Sequence, residues 1–221
     1  MDQERIAAFI NSFDTSGPTP LGELEEKAKQ ERIPIIRHEM LDFLHVFLEL
    51  KKPESILEAG TGTGFSASFF ASATEAGSRI TTIEKDPGRA ERARENFRYL
   101  GYDQKITLIE GDVLEIFHEL EGPYDFIFMD AAKGQYINLL PDVLRLLAPG
   151  GILISDNVLQ EGDMLESHYL VERRNRTICK RMREYLYALK HTPELITTIV
   201  PIGDGAAVSV KSRGTKRENT C

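Results

Sequence analysis

The stretch Glu58-Ala59-Gly60-Thr61-Gly62-Thr63-Gly64-Phe65-Ser66 constrains the fold of this chain more than any other. An apolar run, 55–57, leads into it, and a helical pattern begins at Phe65. A strand, a glycine-rich turn and a helix N-terminus in this order let a ligand touch backbone N–H groups. Glu84 ends the next apolar run, about where a ribose-binding carboxylate stands in a nucleotide-binding βαβ unit. The stretch therefore predicts a nucleotide-type ligand, with a ligand-free turn as the alternative.

The spacing of the glycines narrows the choice of ligand. Glycines at 60, 62 and 64 do not match the G-x-G-x-x-G pattern of dinucleotide-binding proteins. The acidic Glu58 that opens the loop suits a ligand with a cationic end better than one with phosphates. S-adenosylmethionine (SAM) has an ammonium, a sulfonium and no phosphate, so we expect SAM.

Short apolar runs alternate with helical patterns along the chain. This alternation predicts an α/β fold with a mostly parallel sheet and helices on both faces. The last two runs flank 202–205 and predict an antiparallel hairpin at the sheet edge. Pro149-Gly150-Gly151 is expected to end the helix before the fifth strand. The predicted strands are 55–59, 79–84, 105–109, 124–129, 151–155, 195–200 and 206–210, and the predicted helices are 1–13, 21–32, 36–50, 65–76, 87–100, 112–120, 135–148 and 166–190.

The pattern predicts one domain over residues 1–212 and a disordered tail over 213–221. The extra N-terminal helices within 1–50 are expected to form a cap or a subunit contact. No run approaches the ~20 apolar residues of a membrane span, and the N-terminus lacks the basic start of a signal peptide. Cys179 and Cys221 form no zinc or disulfide pattern. We therefore expect a cytoplasmic protein that does not contact membranes.

Acidic residues follow every parallel strand, at the edge where ligands bind in open α/β sheets. Asp112 could cap the helix after the third strand, border an adenine, or do both. Asp130, Asp156 and Asn157 follow neighbouring strands and offer three oxygen ligands, which suit a hard cation such as Mg²⁺. Lys133 lies at the same rim and could act as a base there. Its alternative is a solvated surface lysine.

Together, these motifs resemble the cation-dependent class I O-methyltransferases, the family of catechol and caffeoyl-CoA O-methyltransferases. The resemblance covers roughly residues 34–211 and includes Gly203-Asp204-Gly205. It implies a Rossmann-like SAM methyltransferase fold with a seven-stranded sheet, SAM and Mg²⁺ (or Mn²⁺) as cofactors, and a homodimer. By resemblance, the residues that would bind SAM are Glu58, Gly60, Gly62, Gly64, Ser66, Glu84, Asp112, Val113 and Asp130. The metal ligands would be Asp130, Asp156 and Asn157. The catalytic residues would be Lys133 and Asp130.

A cluster of basic residues follows the fifth strand. On a helical period, Arg173, Arg176, Lys180 and Arg183 would share one face, opposite Ile178, Met182, Tyr185 and Leu189. The protein has a net charge of −8, which argues against non-specific nucleic-acid binding but leaves room for a local basic patch. Such a stripe beside an active-site rim suggests a polyanionic substrate, and a solvated helix face is the alternative.

The runs 173–178 and 180–186, with Pro34-Ile35-Ile36-Arg37, resemble the bacterial tRNA 5-hydroxyuridine methyltransferases. This resemblance implies methylation of 5-hydroxyuridine to 5-methoxyuridine in a tRNA anticodon loop. The 5-OH and O4 of that base are vicinal oxygens, which can chelate a metal as a catechol does. The candidate tRNA contacts are Arg37, Arg173, Arg174, Arg176, Lys180, Arg181 and Arg183.

Two other functions compete with tRNA methylation. A small-molecule O-methyltransferase acting on catechols or phenylpropanoids would use the same site without needing the basic helix. A non-catalytic SAM- or RNA-binding protein would not need Asp130, Lys133, Asp156 and Asn157, so their presence argues against it.

Overall fold

The computed structural model describes residues 3–13, 19–166 and 171–214. Over these residues the chain forms one seven-stranded sheet flanked by α-helices. The strands are β1 (Ser55–Ala59), β2 (Arg79–Glu84), β3 (Ile106–Glu110), β4 (Tyr124–Met129), β5 (Leu147–Ser155), β6 (Leu195–Val200) and β7 (Ala206–Lys211). The helices are α1 (Gln3–Asn11), α2 (Pro20–Gln30), α3 (His38–Lys51), α4 (Phe65–Ser72), α5 (Pro87–Leu100), α6 (Val113–Glu119), α7 (Tyr136–Leu146) and α8 (Arg176–His191).

The strand order is β3-β2-β1-β4-β5-β7-β6, with β7 antiparallel to both of its neighbours. The other strands run in one direction, so the predicted fold class is confirmed, including the antiparallel C-terminal hairpin. The strand order reverses between β1 and β4, which pair although β2 and β3 separate them in sequence. In open α/β sheets such a reversal places the ligand crevice at the carboxyl ends of the two strands.

Alternate side chains of the strands supply two apolar layers, one on each face of the sheet. Ile56 and Phe128 face the layer formed with α2 to α5. Leu57 and Met129 face the layer formed with α6 to α8. Because both faces are covered, the central strands are buried almost along their whole length.

Local capping signals fix several helix starts. Asp86 accepts a hydrogen bond from the backbone N–H of Arg89, and Pro87 occupies the first turn of α5. Asp112 likewise accepts from the N–H of Leu114, so its predicted capping role at α6 is confirmed. Gly101 ends α5 in the left-handed conformation.

Several predicted element borders are wrong, among them the end of the helix predicted at 65–76, since α4 ends at Ser72. The sequence predicts a helix to residue 148, but α7 ends at Leu146 and β5 begins at Leu147. A register shift in β5 between the residues paired with Tyr124 and Phe126 accommodates Pro149, which has no N–H for the ladder. The predicted helix from 166 instead begins at Arg176, because turns occupy the preceding described residues.

Parts of some predictions lie outside the described residues: 1–2 of the first helix, 14–18, 167–170 of the last helix, and 215–221 of the tail. Within the described parts of the chain, no helix is long and apolar enough to span a bilayer. The homodimer stays a prediction.

Gly64 offers a test of how the glycine-rich loop between β1 and α4 supports the fold. It precedes α4 with φ +84°, and a Cβ there would lie 2.5 Å from Cε1 of Phe97. Gly64→Ala is therefore expected to lower the free energy of unfolding by about 1–3 kcal/mol, through backbone strain and overpacking. A Cβ at Gly77 would have no atom within 4 Å, so Gly77→Ala should change the free energy of unfolding by less than about 1 kcal/mol. Urea unfolding of both variants tests this, and equal effects would contradict it.

Candidate active site

The loops after β1, β4 and β5 meet at one edge of the sheet. The backbone N–H of Asp130 donates to the carbonyl of Ala59 (3.0 Å), and that of Asp156 donates to the carbonyl of Met129 (2.9 Å). These bonds continue the sheet one residue beyond each strand. The two aspartates thus leave neighbouring strands side by side, as the sequence predicts.

Gly60 allows the β1 loop to lie directly against the residue that follows Asp130. Its φ is +105°, and a Cβ there would lie 2.7 Å from Cβ of Ala131. A larger residue would therefore push the two loops apart. Asn96, buried on α5, holds the other side of the β1 loop by donating to the carbonyl of Thr63 (2.8 Å).

A cavity of about 570 Å³ opens along this edge. Its walls combine backbone of the glycine loop, apolar side chains ahead of α3, and charged residues from four loops. The predicted site residues that line it are Arg37, Gly60, Gly62, Ser66, Glu84, Asp130, Lys133, Asp156 and Asn157. Glu58, Gly64, Asp112 and Val113 lie outside this lining, and the predicted contacts of these residues with SAM stay predictions.

Glu58 is fully buried in β1. Its Oε2 accepts a hydrogen bond from the hydroxyl of Thr82 (2.5 Å), whereas Oε1 has no partner among the described residues. Burial raises the pKa of Glu58 to about 7, although the hydroxyls of Ser66 and Thr82 lower it. A buried carboxylate oxygen without a donor fits the cationic end of the predicted ligand.

Glu84 is held rigidly at the end of β2. Its Oε2 accepts from the N–H of Gly62 (2.8 Å) and its Oε1 accepts from the N–H of Asp86 (2.9 Å). Both bonds use backbone donors, so the carboxylate also anchors the glycine loop. The remaining lone pairs of a carboxylate can accept from hydroxyl groups in the cavity.

Asp130 and Asp156 form an acidic pair at the floor of the cavity. Burial, and then the neighbouring charge of Asp156, raises the pKa of Asp130 to about 7. Burial also raises the pKa of Asp156 to about 6, while the N–H of Asn157 lowers it. Two carboxylates with raised pKa values provide a site where a cation would favour the charged forms of both.

Lys133 lies beside this pair, and its charge lowers the pKa of both aspartates. The side chain is half-buried, lines the cavity, and has no hydrogen bond or ion pair with the residues that the structure covers. The preceding residue, Ala132, has a φ of +56°, which is uncommon for a residue other than glycine. This turn directs the chain so that Lys133 borders the cavity.

Asn157 also adopts a left-handed conformation, with φ +55°. Its Nδ2 donates to Oδ2 of Asp204 (3.1 Å), and Oδ1 of Asp204 accepts from Nη2 of Arg37 (3.1 Å). No group of three His, Cys, Asp or Glu side chains in the described ranges has the arrangement of a metal site. A cation here would therefore depend on Asp130, Asp156, the amide oxygen of Asn157, and further oxygen atoms from water or substrate.

Sequence reasoning missed three residues at this site. Asp204 is contained in the 203–205 motif, but that motif carried no assigned role. Arg89 lines the cavity from the first turn of α5, and only its position after Glu84 could have suggested this. Thr82 is a polar residue in a buried strand, which is a recognisable signal for a partner such as Glu58.

The predicted basic stripe is divided in the structure. Arg173 and Arg174 precede α8, so the predicted single helical face is wrong. Three arginines donate to backbone carbonyls: Arg176 to Val171, Arg181 to Gly134, and Arg183 to Met164 and Glu166. Arg173, Arg174 and Lys180 are exposed, and the last two have acidic neighbours, Glu172 and Glu184. Of the residues predicted to share the opposite face, Met182, Tyr185 and Leu189 are buried and Ile178 is partly buried.

Comparisons with known proteins agree with this geometry. A family model described as O-methyltransferase matches residues 13–212. The catechol O-methyltransferase of Niastella koreensis is 33% identical over 57% of this chain and 59% of that protein, so the match spans about three fifths of that relative. The caffeoyl-CoA O-methyltransferase of Medicago sativa is 27% identical over 75% of this chain and 70% of that protein. The crystal structure of the O-methyltransferase TomG from Streptomyces achromogenes in complex with SAM has the same fold, with a TM-score of 0.82, 22% identity, and coverage of 96% of this chain and 99% of that chain.

The raised pKa of Glu58 predicts a pH-dependent effect on the ligand-free protein. In the unfolded chain the carboxyl has its ordinary pKa of 4.5, so between pH 4.5 and 7 the folded state binds more protons. Stability is therefore lost as pH rises through this window. Glu58→Gln removes the buried charge and should be more stable than wild type by up to about 3 kcal/mol at pH 8, with a smaller difference near pH 5. Urea unfolding at both pH values tests this, and a pH-independent difference would contradict it.

Proposed function

The chain belongs to the O-methyltransferase family and is a SAM-dependent O-methyltransferase, and we propose that it methylates 5-hydroxyuridine in a tRNA anticodon loop with the help of a divalent cation. The observation that carries this proposal is the layout of charge in the cavity. Asp130 and Asp156 lie at its floor, whereas Arg37, Arg89 and Lys133 also line it. In a protein with net charge −8, this pairing suits an acceptor that chelates a cation and carries phosphates.

The residues near β1 and β2 are suited to bind SAM, which supplies a methyl group on a cationic sulfur. Glu58 would accept a hydrogen bond from the ammonium at its unpartnered Oε1. Glu84, already oriented by two backbone N–H groups, would accept from the ribose hydroxyls. Gly60 and Gly62 line the cavity without a side chain, with Ser66 beside them, while their N–H groups donate to Ile83 and Glu84.

Asp130, Asp156 and Asn157 would hold Mg²⁺ or Mn²⁺, which lowers the pKa of a bound hydroxyl by acting as a Lewis acid. Lys133 would take the hydroxyl proton or stabilise the resulting oxyanion. The first role requires the neutral amine and the second the ammonium, and the amino group has no partner among the described residues that would hold it away from the acceptor. The apolar residues ahead of α3 that line the cavity would help to position the acceptor oxygen.

The surface beyond the cavity supports an RNA acceptor. Arg181 of α8 donates to the carbonyl of Gly134, directly after Lys133, so α8 packs against the turn that borders the cavity. Arg173 and Lys180 are exposed on this segment, where they could contact phosphates near an anticodon loop. Arg176, Arg181 and Arg183 would act mainly by holding the local backbone.

A small catechol or phenylpropanoid is the second candidate acceptor. The observation that favours it is the apolar wall of the cavity, formed by Pro34, Ile35, Ile36, Met40 and Phe65, which could hold an aromatic ring. The names of the relatives, catechol and caffeoyl-CoA O-methyltransferase, also support it. This acceptor would use the same metal and SAM residues and would leave the α8 cations as solvated charges.

The metal hypothesis predicts a selective loss in Asp130→Ala. The rate of methyl transfer should fall more than about 100-fold. Mutating a residue that only orients a metal ligand typically lowers activity by about 10–100-fold, and removing the ligand itself should cost more. SAM affinity, measured by calorimetry, should stay within about fivefold of wild type, since Glu58 and Glu84 remain. Asp103→Ala, at an exposed position, serves as the control. Wild-type turnover of Asp130→Ala in EDTA would contradict the hypothesis.

A competition assay distinguishes the two acceptors. Labelled SAM and Mg²⁺ are supplied with tRNA from cells that lack 5-methoxyuridine and with a panel of dihydroxy phenolics. We expect label at 5-hydroxyuridine, lost in EDTA and falling steeply with salt, because phosphate contacts release counterions. Label only in the phenolics would replace the tRNA proposal with the second candidate.

Charge reversal on the α8 segment tests whether its exposed basic residues contact tRNA. The double variant Arg173→Glu, Lys180→Glu should lower kcat/KM for tRNA by about tenfold or more, since each phosphate contact contributes to affinity. Lys190→Glu reverses one charge at the other end of α8, where Nζ donates to the carbonyl of Thr197, and should change kcat/KM by much less than half of the double variant's effect in free energy. Equal losses in the two proteins would indicate a general charge effect and not a tRNA contact.

A further inference from the structure

We infer that Asp204 is a positioning residue that turns the amide oxygen of Asn157 toward the bound cation. This inference rests on the proposed function, because it assumes that Asn157 is a metal ligand. It concerns a residue in the turn between β6 and β7, far in sequence from β4 and β5.

Asn157 can serve a cation only through its oxygen, because its amide nitrogen carries two positively polarised hydrogens. An ionised carboxylate can only accept hydrogen bonds, so Asp204 selects the nitrogen end of the amide. The observed bond runs from Nδ2 of Asn157 to Oδ2 of Asp204 (3.1 Å). No described residue donates to Oδ1 of Asn157, and Asn157 lines the cavity. The oxygen is therefore left for a ligand.

Asp204 is itself fixed by contacts on both its side chain and its backbone. Oδ1 accepts from Nη2 of Arg37 (3.1 Å), and the side chain is only 15% exposed. The carbonyl of Asp204 accepts from the N–H of Leu159 (2.9 Å), and the carbonyl of Gly205 accepts from the N–H of Val158 (2.9 Å). The turn that carries Asp204 and the loop that carries Asn157 therefore form one hydrogen-bonded unit.

The backbone of Asn157 does not by itself fix which end of the side-chain amide faces the cavity. Its left-handed conformation sets the direction of the Cα–Cβ bond, but rotation about the last side-chain bond could still exchange the oxygen and the nitrogen. Without an acceptor-only partner, both orientations of the amide would be populated. Partners that orient metal ligands in this way typically change metal affinity by about 10–100-fold.

The test measures Mn²⁺ affinity by calorimetry in the absence of SAM and acceptor, so it does not depend on turnover. Asp204→Ala should weaken Mn²⁺ binding by about tenfold or more. Asp204→Asn keeps the shape of the side chain but can present its NH₂ group to Asn157, so it should also weaken binding by several-fold. SAM affinity and the melting temperature check that each variant is folded.

Two further variants separate the possible outcomes. Asp103→Ala, at an exposed position outside the cavity lining, is the control, and its Mn²⁺ affinity should stay within about threefold of wild type. Asn157→Ala provides the reference for loss of the ligand itself. If it weakens Mn²⁺ binding while both Asp204 variants bind like wild type, the positioning role is wrong and the metal set stands. If Asn157→Ala binds Mn²⁺ like wild type, the proposed ligand set fails and the positioning role fails with it.

Discussion

The close approach of the β1 loop to the end of β4 is the constraint on which the rest of the site depends. Gly60 packs against Ala131 with no room for a side chain, and Asp130 is bonded through its N–H to Ala59. This contact brings the residues that would bind the methyl donor next to those that would bind the metal. It exists because the strand order reverses between β1 and β4, which opens a crevice at their carboxyl ends.

Acidic side chains are buried or half-buried around this crevice, where removal from water disfavours their charged forms. Glu58 and the Asp130–Asp156 pair have raised pKa values because burial disfavours their charged forms. Such groups reduce the stability of the empty protein at neutral pH and are suited to bind cations. The positive φ of Ala132 and of Asn157 lies beside the same carboxylates. Strained backbone and buried charge thus coincide at one edge of the sheet, a pattern common at functional sites.

The basic residues at the cavity rim and on the α8 segment have a different role from the buried carboxylates. Arg37 joins the two groups, since it pairs with Asp204 and also lines the cavity. On the α8 segment, arginines that look equivalent in sequence differ in their contacts: Arg176, Arg181 and Arg183 donate to backbone carbonyls, whereas Arg174 pairs with Glu172. An acidic protein can thus present a local cationic surface beside a negative cavity. This separation suits an acceptor with a chelating group at one point and phosphates around it.

The sequence alone determined the features that depend on neighbouring residues. The alternating runs predicted the α/β sheet, Asp112 predicted the start of α6, and the acidic residues at strand ends predicted where Asp130 and Asp156 would meet. These are local signals, or follow from the rule that parallel strands end at the same edge. Tertiary structure alone decided the start of α8, the irregular β5 around Pro149, and the link from Arg37 to Asp204 and on to Asn157. Arg37 and Asp204 are 167 positions apart, so their meeting depends on how the β6–β7 hairpin packs beside β5, which no local pattern encodes.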